Sequence, residues 1–217
     1  MKDYIAFFDL DNTILNTSSG KLFVRYSYDK NVIGFRELML GLFVAVVHRM
    51  GLSDTEKTIN KWAMKYKGTS ESELIDFTQN WFQEVVVNHF RKGARDEINF
   101  HNRNGGKTVI LSAATDYICN PVKNYLNMSD VLCTDLEVAD GKLTGRIIGR
   151  YCYGEEKLLR AAEYCRQEGF HLERAYYYAD SFSDLPVLER VMKPICVSPD
   201  RSLARIARKR GWAIREW

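Results

Sequence analysis

The feature that most constrains the fold is the alternation of short apolar runs with helical patterns from about residue 107 onward. Strands that alternate with helices of this length are typical of a parallel sheet with helices on its faces. A further apolar run at residues 4–8 predicts a strand that is buried on both faces. The later runs lie at 108–111, 175–179, 194–197 and, more weakly, 212–214, and the helical patterns lie near 116–127, 155–168, 184–192 and 201–210.

One segment departs from this alternation. Asp140-Gly141 lies between two β-rich stretches within residues 131–148, and this dipeptide favours the tight turns that join antiparallel strands. It therefore predicts a hairpin. With this exception, the pattern predicts an α/β fold with a Rossmann-like, three-layer core and a mainly parallel sheet.

Residues 17–104 carry an almost wholly helical pattern between the first strand and the rest of the core. Ser53 with Glu56, and Ser70 with Glu73, have the spacing of capping boxes, which open helices. We interpret this zone as an all-helical cap that is inserted after the first strand. The predicted domains are a core of residues 1–13 and 105–217 and a helical cap of residues 14–104.

Composition narrows the functional classes. The chain has 217 residues, is 46% hydrophobic and carries a formal net charge of +3, which does not by itself indicate nucleic-acid binding. Its five cysteines include no C-x-x-C pair, so neither a disulfide framework nor a zinc site is predicted. The first apolar run ends at Asp9, too early for a signal peptide, and the run at 38–47 is too short to span a bilayer. We expect a cytoplasmic protein with no nucleic-acid partner and no stable membrane insertion.

Polar residues follow the predicted strands at the points where the strands end. Asp9 and Asp11 follow the first strand, and Ser112 follows the strand at 108–111. Ligands of open α/β sheets bind beyond the carboxyl ends of the strands, so we expect these side chains to meet at one edge. The remaining members of the set are Asp180 and Asp184, which follow the run at 175–179, and Lys157, which opens the preceding helix.

This set has a specific chemistry. Asp9 and Asp11 are two residues apart, so in an extended chain their side chains project to the same side, and Asp180 adds a third carboxylate. Such a cluster needs positive charge, which Mg²⁺ supplies while binding carboxylates, waters and phosphate oxygens. Ser112 would donate to a phosphoryl oxygen, and Lys157 would hold positive charge where nucleophile and phosphoryl group meet. The set therefore predicts a phosphoryl-transfer site.

In order and context, these residues resemble the four motifs of the haloacid dehalogenase (HAD) superfamily. The stretches at 153–157 and 179–186 are most similar to its phosphoserine-phosphatase-like subfamily, known as subfamily IB. The helical insertion after the first motif is similar to the type 1 cap of this superfamily. The resemblance covers the whole predicted core.

The resemblance implies a role for each matched residue. Asp9 would be the nucleophile that forms an aspartyl-phosphate, and Asp11 would protonate the leaving alcohol and later take a proton from water. Mg²⁺ would be bound by Asp9, Asp180 and Asp11, the last through its backbone oxygen, and Asp184 would orient the waters of the ion. The expected phosphate- and substrate-binding residues are Asn12, Thr13, Ser112, Ala113, Lys157 and Ser183.

Three departures from the subfamily pattern bear on the substrate. At the position of Ser18, phosphoserine phosphatases carry a glutamate that binds the substrate amino group. In place of Ser112-Ala113-Ala114 they carry Ser-Gly-Gly, and in place of Ser183 they carry an asparagine. We therefore predict a Mg²⁺-dependent phosphomonoesterase that acts on a small phosphorylated metabolite other than phosphoserine. Three alternatives stay open: a phosphotransferase or mutase that uses the same aspartyl-phosphate, a phosphatase of phosphatidylglycerophosphate-like lipids, and a non-catalytic phosphate-binding module.

Other features have structural interpretations. Residues 105–108 imitate the end of a phosphate-binding P-loop, but a strand follows where a helix should begin. The apolar run at 38–47 favours a cap-core helix over a surface for hydrophobic esters. The basic residues of 201–210 are expected to form a solvated helix face. The histidines show no metal-ligand spacing and are expected on surfaces or helix faces; they are His48, His89, His101 and His171.

Overall fold

The computed structural model describes residues 4–36, 38–40 and 55–217, with the side chains of 55–58 excepted. The strands in this part of the chain are β1 (Tyr4–Phe8), β2 (Gly106–Thr115), β3 (Asp130–Ala139), β4 (Lys142–Ile148), β5 (Tyr176–Ala179), β6 (Lys193–Val197) and β7 (Ala213–Arg215). They form one sheet in the order β4-β3-β2-β1-β5-β6-β7. Every neighbouring pair is parallel except β3 and β4. The predicted α/β fold with a mainly parallel sheet is confirmed.

Helices cover both faces of the sheet. They are α1 (Ser19–Asp29), α2 (Thr55–Met64), α3 (Glu71–Glu84), α4 (Lys92–Arg103), α5 (Asp116–Tyr125), α6 (Glu155–Gln167), α7 (Leu185–Leu188) and α8 (Arg201–Arg210). On one face, Ala6 and Phe8 of β1 share a buried core with α4 and α5, and on the other Ile5 and Phe7 share one with α6, α7 and α8. Because side chains alternate along a strand, the unbroken apolar run of β1 supplies both cores.

The hairpin between β3 and β4 is also confirmed. Ala139 pairs with Lys142 across the turn, and Asp140 and Gly141 between them have φ values of 50° and 70°. Positive φ at both central residues is what the tight turns of twisted hairpins require, and aspartate and glycine tolerate it.

The helices between β1 and β2 pack partly on one another. Phe23 of α1 makes edge contacts with Phe77 and Trp81 of α3. The two segments that connect this insertion to the core lie side by side, because Leu15 forms an antiparallel bridge with Phe90. The insertion therefore leaves and re-enters the core at one place.

Helix α4 lies within the range 14–104 that we predicted for the cap, but it packs on the sheet. Its Ala94 and Ile98 are fully buried, and its Glu97 accepts a hydrogen bond from Tyr178 of β5 at 2.8 Å. We propose that α4 belongs to the core and that the cap ends at the bridge between Leu15 and Phe90.

His101 lies on a helix, α4, as one of the two predicted placements had it, but on the side that packs against the sheet and not on a solvent-facing side. His101 is fully buried, with Nδ1 2.8 Å from the Tyr4 hydroxyl and Nε2 2.9 Å from the Tyr178 hydroxyl. The reason is that α4 packs against the sheet and two strand tyrosines satisfy both ring nitrogens. His89 is half-buried, His171 is exposed, and His48 lies outside the described residues.

The helix predicted after Ser70 begins there, but the capping-box hydrogen bond is absent from it. The Ser70 side chain does not accept a hydrogen bond from the backbone of α3. Its hydroxyl instead shares a hydrogen bond with the Ser72 hydroxyl, at 2.8 Å. The other predicted capping box and most of the apolar run at 38–47 lie outside the described residues.

Helix α8 presents the expected basic face to solvent. Its apolar side, with Leu203, Ala204 and Ala207, is buried, and its five arginine and lysine residues are exposed. Across the residues that the structure describes, no helix combines the length and the apolar character needed to cross a membrane.

Candidate active site

A cavity opens at the carboxyl end of the sheet, where β1 and β5 lie side by side. Phe8 of β1 pairs with Tyr178 of β5 in the parallel ladder. Asp9 and Asp180 therefore lie just beyond the ends of two adjacent strands. The amide of Asp9 donates to the Tyr178 carbonyl at 2.9 Å. The cavity is lined by Asp9, Asp11, Asn12, Ser18, Lys21, Ser112, Ala113, Ala114, Tyr153, Lys157, Asp180, Ser181, Ser183, Asp184 and Asp200.

Lys157 joins two of the carboxylates at the floor of this cavity. Its Nζ donates to Oδ1 of Asp9 at 2.8 Å and to Oδ1 of Asp184 at 2.7 Å. The side chain is 3% exposed, and this burial disfavours its charge. Asp184 and Asp9 outweigh that effect and raise the pKa of Lys157 well above its usual value. The lysine is therefore a fixed cation at neutral pH.

Asp9, Asp180 and Asp184 form a group whose ligand oxygens lie within 4.8 Å of one another, and all three residues are buried. Burial raises the pKa of the Asp9 carboxyl to about 7; the charge on Lys157 opposes this rise, and Asp184 adds to it. When all three carboxylates are ionised beside the one ammonium, two negative charges remain. Buried oxygen donors with this net charge fit one hard divalent cation.

The Asp11 carboxylate is held by the insertion. It accepts hydrogen bonds from the Ser19 amide at 2.8 Å and from the Ser18 hydroxyl at 3.1 Å. Asn12, the next residue, has a φ of 55°, a left-handed conformation that asparagine tolerates. The two hydrogen bonds join the Asp11 side chain to the start of α1.

The predicted phosphate-binding residues fall into two sets. Asn12, Ser112, Ala113 and Ser183 line the cavity, and the buried Ser112 hydroxyl accepts a hydrogen bond from the Ala114 amide at 3.2 Å. Thr13 is fully buried and is not among the lining residues.

The structure adds lining residues that sequence reasoning missed. Asp200 caps α8 by accepting the Ser202 and Leu203 amides at 2.8 and 2.9 Å, and it also accepts the Phe182 amide at 2.6 Å. It thereby fixes the loop that follows Asp180. Its position directly before a predicted helix could have identified Asp200 as a capping residue from the sequence alone. Tyr153, Ser181 and Lys21 also line the cavity. Lys21 lies in the first turn of α1, three residues after Ser18, which directly precedes that helix.

Together, a buried carboxylate, a buried ammonium and a group of three carboxylates at the end of a parallel sheet are the kinds of groups that phosphoryl transfer requires. Residues 6–189 match the haloacid dehalogenase-like hydrolase family, and the chain belongs to that family. It is a phosphatase of this family, as the resemblance of its motifs implied.

The relatives agree with this assignment. The chain is 28% identical over 215 residues to a histidinol-phosphatase of Neisseria meningitidis, covering 97% of each protein. A Bordetella pertussis protein of unknown function shares the fold with a TM-score of 0.90 and 25% identity, over 99% of this chain and 98% of that one. A phosphoserine phosphatase, solved as an analogue of its phospho-aspartyl intermediate, shares the fold with a TM-score of 0.73 and 19% identity, over 99% and 93%.

Proposed function

We propose that this phosphatase hydrolyses small, polar phosphomonoesters through an aspartyl-phosphate formed on Asp9, with Mg²⁺ as its cation. The observation that carries the proposal is the convergence of Asp9, Lys157, Asp180 and Asp184 at the floor of one cavity. A surface acidic patch would not be buried or joined to a buried lysine.

In the first step, a carboxylate oxygen of Asp9 attacks the phosphorus of the ester. The bond between phosphorus and the alcohol oxygen breaks as the bond to Asp9 forms, and the carboxylic acid of Asp11 gives its proton to the departing oxygen. Lys157 stabilises the charge on the phosphoryl oxygens, and Ser112 donates a hydrogen bond to one of them.

In the second step, Asp11, now ionised, takes a proton from a water molecule that attacks the same phosphorus. The bond between phosphorus and Asp9 breaks. Inorganic phosphate is released, and the Asp9 carboxylate and the protonated Asp11 are restored. The hydrogen bonds from Ser18 and the Ser19 amide hold the Asp11 carboxylate in one place for both steps. The insertion therefore positions the acid–base group.

Mg²⁺ would be held by Asp9 and Asp180, with the backbone oxygen of Asp11 as a further ligand and Asp184 as the residue that orients its waters. When bound, the ion neutralises the two negative charges left at the site and those of the phosphoryl group. Removal of divalent cations by a chelator is expected to abolish turnover, and Mg²⁺ is expected to restore it.

The described walls of the cavity favour a polar leaving group. Beyond the carboxylates and lysines, the lining residues are four serines, two alanines, one asparagine and one tyrosine. Such walls disfavour a lipid-like ester, although part of the apolar run at 38–47 lies outside the described residues. Ser18, which bonds Asp11, offers no carboxylate to a substrate amino group, which disfavours phosphoserine. Histidinol phosphate, suggested by the named relative, belongs on any substrate panel.

The proposal is tested by trapping the intermediate. Borohydride reduces an acyl phosphate, so quenching turnover with borohydride should convert Asp9 to homoserine, detectable by peptide mass spectrometry. Asp9→Asn is expected to give no such product and no measurable phosphate release, while Asp76→Asn, at an exposed position on α3, should behave as the wild type. Turnover by Asp9→Asn, freed of host phosphatases, would overturn the mechanism.

The phosphotransferase alternative differs only in the acceptor that attacks the aspartyl-phosphate. Product analysis with and without added alcohols or sugars separates the two. Hydrolysis predicts stoichiometric inorganic phosphate under both conditions, and transfer predicts a phosphorylated acceptor in place of part of that phosphate.

A further inference from the structure

We propose that Lys21 selects substrates whose alcohol part carries an anionic group, either a carboxylate or a second phosphate. The inference rests on the proposed phosphomonoesterase activity and names its substrate class. Lys21 lies in the first turn of α1 and lines the same cavity as Asp9. It is therefore a cation that the insertion contributes to a site built by the core.

The ammonium of Lys21 has no partner among the residues that the structure describes. None of their carboxylates forms an ion pair with it, and no hydrogen bond from it to another described residue occurs. Lys157 in the same cavity contacts Asp9 and Asp184. The two lysines differ in this respect: the charge of Lys157 balances the protein's own carboxylates, and the charge of Lys21 remains for a ligand.

Two further carboxylates that line the cavity, those of Asp11 and Asp200, already accept hydrogen bonds. Asp11 accepts from the Ser18 hydroxyl and the Ser19 amide. Asp200 accepts from three backbone amides around the start of α8. Neither needs the Lys21 ammonium to satisfy its oxygens, so a structural role for Lys21 in neutralising the cavity is disfavoured.

The position of Lys21 points to the alcohol part of the substrate. Asp11, the proposed donor to the leaving oxygen, accepts a hydrogen bond from Ser18, the residue before α1. Lys21 follows three residues later, in the first turn of that helix, and lines the same cavity. An ester with its phosphorus over Asp9 and its leaving oxygen at Asp11 therefore extends its alcohol part toward Lys21. A charge-assisted bond to an anion there is among the stronger polar contacts available.

The experiment compares substrates in matched pairs that differ in one anionic group. The pairs are 3-phosphoglycerate with glycerol 3-phosphate, phosphoserine with phosphoethanolamine, and fructose 1,6-bisphosphate with fructose 6-phosphate. For each pair, the ratio of the two kcat/KM values is measured in the wild type, Lys21→Met, Lys21→Arg and Lys21→Glu. The first two pairs test a carboxylate, and the third tests a second phosphate.

We expect the wild type to prefer the anionic member of at least one pair and Lys21→Met to lower that ratio about tenfold or more. Lys21→Arg should retain most of the preference. Lys21→Glu should reverse it and favour cationic alcohols, such as those of phosphoethanolamine and histidinol phosphate. Arg25→Met, which removes an exposed cation of α1 that pairs with Asp29, is the matched control and should leave all ratios within about twofold.

Two results would overturn the inference. In one, Lys21→Met leaves the kcat/KM of both members of every pair unchanged. In the other, it lowers the kcat/KM of both members of each pair by the same factor, which would place Lys21 on the transferred phosphoryl group instead. The borohydride trap at Asp9 reports on the proposed function separately. A trapped intermediate with unchanged ratios refutes the role of Lys21 alone, and an absent intermediate refutes the mechanism.

Discussion

Two neighbouring tyrosines of β5 point to opposite faces of the sheet and enter two different buried polar clusters. Tyr177 donates to Asp184 at 2.6 Å and lies 3.3 Å from the Lys157 ammonium. Tyr178 donates to Glu97 at 2.8 Å and lies 2.9 Å from His101. We call the first the charged cluster (Asp9, Lys157, Tyr177, Asp180, Asp184) and the second the histidine cluster (Tyr4, Glu97, His101, Tyr178).

The histidine cluster is satisfied without buried ionic pairs. Because Tyr178 donates to Glu97, it accepts from the Nε2–H of His101, and the Nδ1 of His101 accepts from Tyr4. Burial lowers the pKa of His101, which favours this neutral ring, and Glu97 is half-exposed. Each donor has an acceptor, so this cluster stabilises the contact of α4 with the sheet.

The charged cluster is costly to bury and is not balanced by its own members. Its three carboxylates exceed its one ammonium, and burial raises the pKa of Asp9 to about 7. A fold does not need such an arrangement for stability, because buried ion pairs are often replaceable by apolar residues. The comparison teaches that polar burial alone does not mark a site; several buried charges that converge without balancing one another at the carboxyl end of the sheet do.

The largest expected effect comes from removing the ammonium of the charged cluster. Lys157→Met should lower kcat/KM by about a thousandfold, because Asp9 and Asp184 lose their shared donor and the phosphoryl group loses a fixed cation. Steady-state phosphate release measures this. The matched control is Lys107→Met, which removes a half-exposed lysine paired with Glu168; it should stay within about twofold of the wild type. Equal losses in both variants would contradict the distinction.

The same two clusters show what the sequence could predict. Asp9, Asp180 and Lys157 lie at strand and helix ends, and the rule that ligands bind beyond the carboxyl ends of parallel strands was enough to bring them together. The hydrophobic pattern of α4 does not determine which side of this helix packs against the sheet. His101 is polar by type, so its burial depends on tyrosines 97 and 77 residues away in the chain. Such long-range pairing is invisible to local periodicity.

The cavity wall contributed by the insertion was likewise hard to predict. The helical pattern indicated an insertion after β1, but not which face of α1 would meet the core. Lys21 and Ser18 reach the cavity because Asp11 accepts the Ser19 amide, a contact between a core loop and a helix start. Asp200 was predictable as a helix cap, whereas its bond to the Phe182 amide depends on how two loops pack.

A smaller effect is expected when one tyrosine hydroxyl is removed from each cluster in turn. Tyr177→Phe should lower kcat about tenfold, because Asp184 and Lys157 lose the hydroxyl that positions them. Tyr178→Phe should lower the free energy of unfolding by about 1–3 kcal/mol, because it leaves the buried Nε2–H of His101 without its acceptor, and should leave kcat near the wild-type value. Kinetics and urea unfolding of both variants measure the contrast. If Tyr178→Phe lost activity and kept its stability, the two clusters would not be distinct in role.

The smallest expected effect concerns Asp116 of α5, a carboxylate that belongs to neither cluster. Burial raises its pKa to about 6, and the nearby Asp135 adds to this rise. Between its ordinary value of 3.8 and about 6, the folded protein keeps a proton that the unfolded chain releases, so this group lowers stability as pH rises through that window. Above pH 6 the carboxylate is ionised in both states and the full cost is present.

Asp116→Asn removes this titration, so its stability relative to the wild type should increase between pH 4 and pH 7. We expect a relative gain of about 1 kcal/mol, after allowance for solvent screening at a half-exposed group. Urea unfolding at several pH values measures it, and other titrating groups cancel because both proteins share them. A constant difference between the two proteins at all pH values would show that Asp116 is not perturbed. A gain confined to this window would show that even a half-buried carboxylate without a balancing cation lowers stability where it performs no chemistry. The fully buried carboxylates of the charged cluster lower stability for the same reason.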